Sequence, residues 1–384
     1  MILHGRTAHS RRPVAAALVA AATVVCGLAG CSTDDEEPPS GPSSGIEARL
    51  LPPIADSGKK PRKAKRADVV VEGRVEPAAE GEPVTLQVQQ DGEWTELDQA
   101  KQDEEGRVAF IAPNLVEKET QSYRLVAGDD KSNALDTGVW QDKLEFEDLF
   151  ERTSLGPRWF HRLQGYDAGS RSCSRPDESM VDVGDDVAGL SVALDPDRSD
   201  DECRYEGEEH SYRLNANIGT QGSFDFRYGY AAARIKFHEK RGQHAAFWLQ
   251  PATAVHDGDP NTSGAEIDII EWFGRRQSPS LASYVHYTDE DGESVKIGDF
   301  IADPDQYGDK WWDRYHVFSV EWTPDAYIFR IDGQVTSVID EAISGVPQFL
   351  LLSNLSSDYE LRHLPSEDDL PQTMKVDWVR VWNL

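Results

Sequence analysis

Basic residues are scarce in this chain. Its 384 residues include 39 Lys and Arg against 69 Asp and Glu, so the net charge is -30 at neutral pH. A surface with this excess of negative charge repels phosphate backbones, and nucleic-acid binding is therefore not expected. Hydrophobic residues make up 39% of the chain, which is enough for a sizeable core and excludes wholesale disorder.

Long hydrophobic runs are also missing. The apolar stretch from Val14 to Leu28 is too short for a stable membrane span, and it follows three arginines in the manner of a secretory signal. It ends in Leu28-Ala29-Gly30-Cys31, which resembles the lipobox of bacterial lipoproteins. We therefore expect residues 1–30 to be a signal peptide and Cys31 to carry a lipid that anchors the protein to the outer face of the cell membrane. A plain signal peptide with an incidental Cys31 is the alternative.

Cysteines are few. Cys26 lies in the signal and Cys31 in the lipobox, which leaves Cys173 and Cys203 as a pair in an exported chain. An even number of cysteines in an oxidising compartment predicts a disulfide between them. A zinc site is not expected, because neither residue has a second Cys or a His at ligand spacing.

Apolar periodicity is absent from residues 31–66, which are rich in Pro, Ser, Gly and charge. This composition predicts a flexible tether between the lipid and the folded part. For the basic run from Lys59 to Arg66, the alternative is contact with an anionic lipid or wall polymer.

Amphipathic helices are missing from the rest of the chain, where short strands alternate with turns, so we expect an all-β protein. Residues 67–139 predict a small antiparallel sandwich that resembles the immunoglobulin-like modules of bacterial surface proteins. We interpret it as a spacer, and glycan binding through Trp94 is the alternative. Residues 144–384 predict a large β-sandwich or jelly roll, in which two curved sheets can leave one concave face open as a cleft.

Three acids crowd the segment Glu266-Ile267-Asp268-Ile269-Ile270-Glu271. Side chains of a strand alternate between faces, so Glu266 and Asp268 share one face. Strict alternation would bury Glu271 in the core, whereas a bulge at Ile269 and Ile270 returns it to the acidic face. Crowded carboxyls raise one another's pKa, so one acid can stay protonated while another is ionised, as retaining glycoside hydrolysis requires.

Two other interpretations of the three acids fit less well. A solvated acidic edge strand does not explain the flanking Ile and Trp residues, which indicate a central strand. A Ca²⁺ site needs ligands arranged around a point, whereas strand alternation sets these acids in a row. The sequence also has no Asp-x-Asp-x-Asp-Gly loop.

The residues from Glu266 to Glu271 resemble the signature of glycoside hydrolase family 16 in its bulged, laminarinase-like form. The resemblance spans residues 144–384 and implies a concanavalin A-like β-jelly roll with retaining cleavage inside β-linked glycans. By the same resemblance Glu266 is the nucleophile, Asp268 the residue that orients and tunes it, and Glu271 the acid/base. Further matching segments occur in family order: Phe146–Phe150, Tyr228–Tyr230, Arg234–Lys236, Ala246–Leu249, His286–Tyr287, Glu321–Asp325, Ile331–Gly333 and Val376–Val381.

Other cleft residues are predicted from alternation and from the resemblance. Alternation places His244, Ala246 and Trp248 on one face, where Trp248 offers a flat apolar surface to a pyranose ring; core packing is the alternative. Trp272 should point inward. The resemblance implies that three more residues reach the cleft and bond sugar hydroxyls, although a structural role is the usual one for a lone His: Arg234, His286 and Asn354.

Two departures from the family leave the glycan open. Where members usually have a Glu two residues before the position of Arg234, this chain has Ala232, and a segment with two glycines is replaced by Ser356–Glu360. The resemblance also implies a structural Ca²⁺ held by Glu147 and Asp377. The reaction itself needs no cofactor.

We therefore expect a monomeric, endo-acting, retaining β-glycosidase on β-1,3- or mixed β-1,3/1,4-glucan. One alternative is a hydrolase or transglycosylase on another β-linked polysaccharide, such as a galactan. Another is a surface glycan-binding protein without activity. The intact acid triad argues against the last, since buried like charges cost stability once catalysis no longer requires them.

Overall fold

Antiparallel strands make up nearly all of the regular structure. The computed structural model describes residues 45–61, 66–114, 120–166, 169–253, 257–275 and 280–384. The predicted signal peptide and the predicted lipid on Cys31 lie outside these residues and stay predictions. No helix in the described part of the chain combines the length and the hydrophobicity that crossing a bilayer requires.

The chain first forms a small two-sheet sandwich. The strands from residue 46 to residue 136 are β1 (Ile46–Ala55), β2 (Ser57–Gly58), β3 (Asp68–Val75), β4 (Pro83–Gln90), β5 (Glu93–Lys101), β6 (Arg107–Ala112), β7 (Ser122–Ala127), β8 (Asp130–Lys131) and β9 (Leu135–Asp136). One sheet has the order β1-β3-β6 and the other β5-β4-β7-β8, with β9 also paired to β7. In β4, Val84, Leu86 and Val88 are buried and alternate with more exposed residues, so this face closes the core of the small sandwich.

The prediction of a flexible tether over residues 31–66 is wrong for residues 46–58. β1 pairs with β3 from Ile46 to Ala55, and its apolar side chains, including Leu51 and Ile54, are buried in the small sandwich. β2 then pairs with residues 315–316 of the large domain. Two prolines and several charged residues interrupt the apolar pattern of this segment, so no strand is predicted there, yet burial of these side chains stabilises the pairing.

A second, larger sandwich follows a one-turn helix α1 (Val139–Asp142). Its strands are β10 (Leu144–Asp148), β11 (Phe160–His161), β12 (Ser174–Pro176), β13 (Val181–Gly184), β14 (Val187–Leu194), β15 (Glu202–Tyr205), β16 (Glu208–Ser211), β17 (Arg213–Gly219), β18 (Gly229–Lys236), β19 (His244–Pro251), β20 (Glu266–Trp272), β21 (Leu281–Thr288), β22 (Ser294–Phe300), β23 (Tyr315–Trp322), β24 (Tyr327–Ile331), β25 (Gln334–Ile339), β26 (Gln348–Leu355) and β27 (Gln372–Trp382). Helix α2 (Pro260–Ser263) precedes β20, and short 3₁₀ helices cover Glu178–Met180, Pro196–Arg198, Pro304–Tyr307, Trp311–Asp313, Asp358–His363 and Glu367–Asp369.

Two sheets of the large sandwich face each other. The front sheet has the order β11-β17-β26-β19-β20-β21-β22. The back sheet has the order β13-β14-β27-β18-β23-β24-β25, and β10 and β2 extend it. β14 also pairs with β17, which joins the sheets at one edge. The core lies between the sheets, and the expected all-β jelly roll is thereby confirmed.

The small sandwich packs on the outer face of the back sheet. Tyr230, Val317, Trp378 and Trp382 point away from the core of the large sandwich and into the core of the small one. Because the two sandwiches share this hydrophobic cluster, the small one packs directly on the large one; the interpretation of residues 67–139 as a spacer stays a prediction. Within the small sandwich, the Arg124 guanidinium lies over the Trp94 ring, and its Cζ is 4.2 Å from the centroid of that ring.

A network of ion pairs crosses the boundary between the two sandwiches. Glu321 of the back sheet, with 3% of its side chain exposed, contacts Arg49 at 2.6 Å and Arg330 at 2.9 Å. Glu72 of the small sandwich contacts the same two arginines, at 2.6 and 3.2 Å. Burial raises the pKa of Glu321, but Arg330 and Arg49 outweigh it and hold that pKa below its usual value. The carboxylate of Glu321 is therefore ionised and fully paired.

We predict that Glu321→Ala destabilises the protein by about 3 to 5 kcal/mol, because it leaves the buried Arg330 guanidinium with only part of its counter-charge. The matched control is Glu209→Ala, which removes the exposed partner of Arg204 and should cost less than about 1 kcal/mol. Urea unfolding followed by tryptophan fluorescence measures both. Equal costs for the two variants would contradict the ion network as a structural element.

Candidate active site

The three predicted acids lie on β20 in the middle of the front sheet. On the β19 side, Ile270 and Asp268 pair with consecutive residues, so Ile269 has no partner. On the β21 side the register also shifts between Asp268 and Glu271. The predicted bulge is confirmed: Ile269 and Ile270 are buried in the core, and Glu271 faces the same cleft as Glu266 and Asp268.

A cleft of about 610 Å³ lies over this face of the front sheet. The three acids form its floor together with the neighbouring strands β19, β21 and β26. Its remaining walls combine aromatic rings with polar and basic side chains: Arg162, Gln164, Arg171, Asn217, His244, Trp248, Gln250, Phe273, Tyr284, His286, Lys296, Phe300, Ser353 and Tyr359. Rings flanked by hydrogen-bonding groups are the composition of a site for a polyhydroxylated ligand.

Glu266 is the acid with the strongest support for an ionised form. Burial raises the pKa of its carboxyl, while His286, the Arg162 guanidinium and a hydrogen bond from Gln250 act in the opposite direction. Arg162 is itself held in place by a hydrogen bond from its Nη2 to Gln250 Oε1 at 2.9 Å. The net pKa of Glu266 is raised, but less than that of the other two acids.

Asp268 lies between the two glutamates and is almost fully buried. Burial, followed by the charge of Glu266, raises its pKa well above the usual value. Its Oδ2 lies 3.2 Å from His286 Nε2. Burial lowers the pKa of His286, which favours a neutral ring that can donate one hydrogen bond to Asp268.

Glu271 is the best candidate for a protonated acid. Burial, followed by the charge of Asp268, raises its pKa well above the usual value of a glutamic acid. The row therefore contains one carboxyl with cationic and hydrogen-bonding support, Glu266, and one whose surroundings favour the protonated form, Glu271. Two carboxyls with pKa values pushed apart are the usual arrangement for paired acid and nucleophile roles.

The predictions from alternation along β19 and β20 are confirmed in position. His244, Ala246 and Trp248 line the cleft, whereas Phe247 is buried in the core. Trp248 is half-buried, and its Nε1 donates to Ser353 Oγ at 3.1 Å, so its ring is fixed at the cleft surface. Trp272 points inward as expected.

Residues 181–379 match the family model of glycosyl hydrolases family 16. This match covers more than half of the chain. The chain belongs to glycosyl hydrolase family 16.

Three curated relatives of this family-16 chain are 24% to 28% identical to it over part of its length. Glucan endo-1,3-beta-glucosidase A1 of Niallia circulans is 28% identical over 182 residues, which are 44% of this chain and 26% of that protein. Glucan endo-1,3-beta-glucosidase of Cryptopygus antarcticus is 25% identical over 211 residues, 52% of this chain and 68% of that protein. Keratan-sulfate endo-1,4-beta-galactosidase of Sphingobacterium multivorum is 24% identical over 176 residues, 44% of this chain and 39% of that protein. The chain thus spans about a quarter of the first relative.

Solved structures agree on the fold. The laminarinase from Rhodothermus marinus superposes with a TM-score of 0.50 at 19% identity, and the match covers 63% of this chain and 97% of that one. At this identity the similarity supports the jelly-roll fold alone. The activity has to be inferred from the residues of the cleft.

Arg234 does not reach the cleft, so this prediction is wrong. β18 belongs to the back sheet, and Arg234 points from it toward the small sandwich. Its guanidinium is fully buried and contacts Asp56 at 2.6 Å and Asp377 at 2.9 Å. Ala232 points the same way, into the core of the small sandwich, so the family departure at that position does not affect the cleft.

The prediction that Asn354 reaches the cleft is also wrong. It lies on β26 on the same face as Leu350 and Leu352, which point into the core between the sheets. Its Nδ2 donates to the carbonyl oxygens of Leu190 and Gln372, both at 3.0 Å. Asn354 thus ties the front sheet to the back sheet, and its neighbour Ser353 faces the cleft in its place.

The structure does not bring Glu147 and Asp377 together as a Ca²⁺ site. Glu147 pairs in register with Arg380 and accepts a hydrogen bond from its Nε at 2.8 Å. Asp377 is fully buried against Arg234. Because an arginine already neutralises each carboxylate, the pair does not fit a shared hard cation.

One cluster in the described part of the chain has the spacing of metal ligands. It comprises Glu266, Asp268 and His286, whose nearest ligand atoms lie within 4.8 Å of one another. His286 Nε2 already lies 3.2 Å from Asp268 Oδ2, and this contact occupies one ligand atom of each residue. We therefore interpret the cluster as part of the row of acids.

Several cleft residues escape prediction from the sequence. Arg162 and Tyr359 lie outside regular strands, where alternation carries no information. Lys296 lies on the edge strand β22 with its Nζ 4.1 Å from the ring centroid of Tyr284. The one usable signal is for Tyr359, which belongs to the segment Ser356–Glu360 that departs from the family pattern.

The predicted disulfide between Cys173 and Cys203 is confirmed. Both cysteines are buried beside Leu361, in a small hydrophobic cluster next to the cleft. The bond links the segment before β12 to the hairpin β15-β16.

Asp268→Asn should stabilise the fold near neutral pH by about 1 kcal/mol, the size typical of removing an unfavourable group from a functional site. A carboxyl whose pKa is raised on folding costs stability above its unfolded pKa and costs nothing once both states are protonated. The gain should therefore vanish as the pH falls toward 3 to 4. Urea unfolding at several pH values tests this, and a loss of stability at pH 7 would contradict the burial cost.

Proposed function

We propose that this protein is an endo-acting, retaining β-glycoside hydrolase that works by double displacement. The observation that carries the proposal is the bulged strand β20, which aims Glu266, Asp268 and Glu271 into one cleft and gives the two glutamates different environments. Retaining cleavage needs one carboxylate and one carboxylic acid on either side of the scissile bond. Family membership supports the reaction class.

In the first displacement, Glu266 attacks the anomeric carbon while Glu271 donates its proton to the leaving oxygen. The Arg162 guanidinium and the hydrogen bond from Gln250 favour ionised Glu266 before the attack. As the charge of Glu266 is consumed in the covalent glycosyl-enzyme, the electrostatic cost of ionising Glu271 falls, since Glu266 contributes to its raised pKa.

In the second displacement, Glu271 is the general base that takes a proton from water, and water releases the sugar from Glu266. Asp268 orients Glu266 and buffers the charge of the row through its contact with His286 at 3.2 Å. When a sugar hydroxyl replaces water at this step, the glycosyl group passes from Glu266 to that hydroxyl, and a new glycosidic bond forms instead of a new reducing end.

For the substrate we propose a β-1,3-glucan or a mixed β-1,3/1,4-glucan. Two of the relatives are named as glucan endo-1,3-beta-glucosidases, and Trp248 offers a fixed aromatic surface for the C–H face of a glucose ring. The relative named for keratan sulfate favours a β-galactan as the second candidate. Both of the glucosidase relatives are named as endo-acting enzymes, which is the basis for the endo mode proposed here.

Two variants separate the roles of the glutamates. Glu266→Ala should lower the rate of hydrolysis at least about 1000-fold. Azide should then restore cleavage with inversion, because the anion attacks the sugar from the side that the glutamate has vacated. Glu271→Ala should still release an activated aryl leaving group, and azide should then give a product of retained configuration. The exposed Glu290→Ala is the control and should keep wild-type rates.

The wild-type protein is assayed on laminarin, lichenan, agarose, carrageenan and galactan, with reducing ends and transfer products as the readouts. Cleavage of laminarin or lichenan supports the glucanase assignment, and cleavage of galactan alone replaces it with the second candidate. If no glycan yields new ends or transfer products, the hydrolase proposal fails and the alternative of a glycan-binding surface protein is favoured.

A further inference from the structure

The 3₁₀ helix Asp358–His363 contains Tyr359, which lines the cleft wall. Other residues of this helix anchor it to neighbouring segments. The carboxylate of Asp358 accepts hydrogen bonds from the backbone N–H of Ser172 at 2.8 Å and from its Oγ at 2.9 Å. Leu361 packs against the Cys173–Cys203 disulfide. The disulfide and the Asp358 contacts thus hold this helix against the segment before β12.

The helix and the residues just before it are also fixed to the segment that precedes β19. Glu360 contacts Arg241 at 3.6 Å, and Ser356 Oγ donates to the carbonyl oxygen of Gly242 at 3.0 Å. Gly242 has a φ of +98°, and a Cβ there would lie 2.6 Å from Leu364 Cα, so only glycine fits this junction. His244, two residues later, is therefore held in place relative to the helix.

A short chain of contacts runs from this helix to the candidate acid/base. The hydroxyl of Tyr359 lies 3.0 Å from His244 Nδ1 and 3.5 Å from its Nε2, and this Nε2 lies 3.9 Å from Glu271 Oε1. The His244 ring stacks on Phe273 at 5.4 Å and is only 8% exposed. Tyr359, by contrast, leaves 55% of its surface exposed at the cleft wall.

The chemistry of the His244 ring decides what it offers to Glu271. Burial, followed by the charge of Arg171, lowers the pKa of His244 to about 4, so the ring is neutral at neutral pH and carries one N–H. We assign the Tyr359 hydroxyl as a donor to the nearer ring nitrogen, Nδ1, and this assignment leaves the N–H on Nε2, which lies 3.9 Å from Glu271 Oε1. The other tautomer would aim a lone pair at an ionised Glu271 and repel it.

We propose that Tyr359 and His244 are a positioning pair for Glu271, in which Tyr359 holds His244 so that its Nε2–H supports the ionised carboxylate of Glu271 during the second displacement. The inference rests on the proposed function and deepens it. A movement of about 1 Å brings Nε2 and Oε1 from 3.9 Å to ordinary hydrogen-bonding distance once Glu271 carries a charge. Neither residue touches the reacting atoms.

Other charged groups also face Glu271 and must be kept constant. Asp268 and Glu266 lie on the same strand, His286 on β21 and Lys296 on β22, and all four contribute to the pKa of Glu271. The variants below leave these residues unchanged. A change in the titration of Glu271 can then be assigned to the Tyr359–His244 pair.

Tyr359→Phe removes the donor to Nδ1, and His244→Met removes the ring N–H itself. Because a donor to the ionised form lowers a pKa, its loss should raise the pKa of Glu271 and move the alkaline limb of the kcat/KM profile to higher pH. His244→Gln keeps an amide N–H near the same place and should shift the limb less than His244→Met. Tyr205→Phe is the matched control, since Tyr205 packs on the disulfide cluster and does not line the cleft.

Kinetics on an aryl β-glycoside with an activated leaving group isolate the second displacement. The first step then needs little acid assistance, so Tyr359→Phe should lower kcat about tenfold, the effect of losing one hydrogen bond to a charged group, while kcat/KM is nearly unchanged. A merely structural role would lower kcat/KM for activated and unactivated substrates alike and leave the pH profile in place. That pattern would overturn the proposal.

Carbon-13 NMR titration of the glutamate carboxyls gives a readout that does not depend on activity. The proposal expects a higher pKa for Glu271 in Tyr359→Phe and in His244→Met than in the wild type and in Tyr205→Phe. An unchanged Glu271 titration overturns the pair even in an active enzyme. If instead the wild type cleaves no glycan, the hydrolase proposal fails while the titration still decides whether the pair acts on Glu271.

Discussion

One extra residue in β20 is the constraint on which the active site depends. An ordinary strand would aim Glu266 and Asp268 into the cleft and Glu271 into the core. With Ile269 unpaired toward β19, all three carboxyls share one face, and the apolar side chains of the bulge remain buried. Burial on this face then raises the pKa of each acid, and their different neighbours separate the two glutamates.

Contacts between the two sheets and with the small sandwich hold together the strands around the three acids. Asn354 ties the front sheet to the back sheet through two backbone carbonyls. The outer face of the back sheet is in turn covered by the small sandwich, where Glu321 and Arg330 join Arg49 and Glu72 in a buried ion network. Preorganised charges stabilise a transition state because the protein does not reorganise during the reaction. The small sandwich is thus a structural support of the catalytic sheets.

Strand alternation predicted the parts of the site that lie on one continuous strand. It placed Trp248 and His244 in the cleft and Trp272 in the core, and the cost of burying Glu271 predicted the bulge. The resemblance to the family wrongly placed Arg234 of the back sheet in the cleft, and alternation could not correct this because it does not say which sheet a strand belongs to. Alternation also missed β1, whose residues form a strand only by pairing with another part of the chain. It carries no information on Arg162 and Tyr359, which lie outside strands.

The central claim is that Glu266 attacks the sugar and Glu271 supplies and removes the proton, which makes the reaction retaining. Proton NMR of the first product released from a β-glucan tests this most directly, because the anomeric signal is read before mutarotation mixes the anomers. The account predicts that the β-anomer appears first and the α-anomer grows in later. A first-formed α-anomer would mean that water attacks the sugar directly, and it would contradict the assignment of Glu266 as the nucleophile.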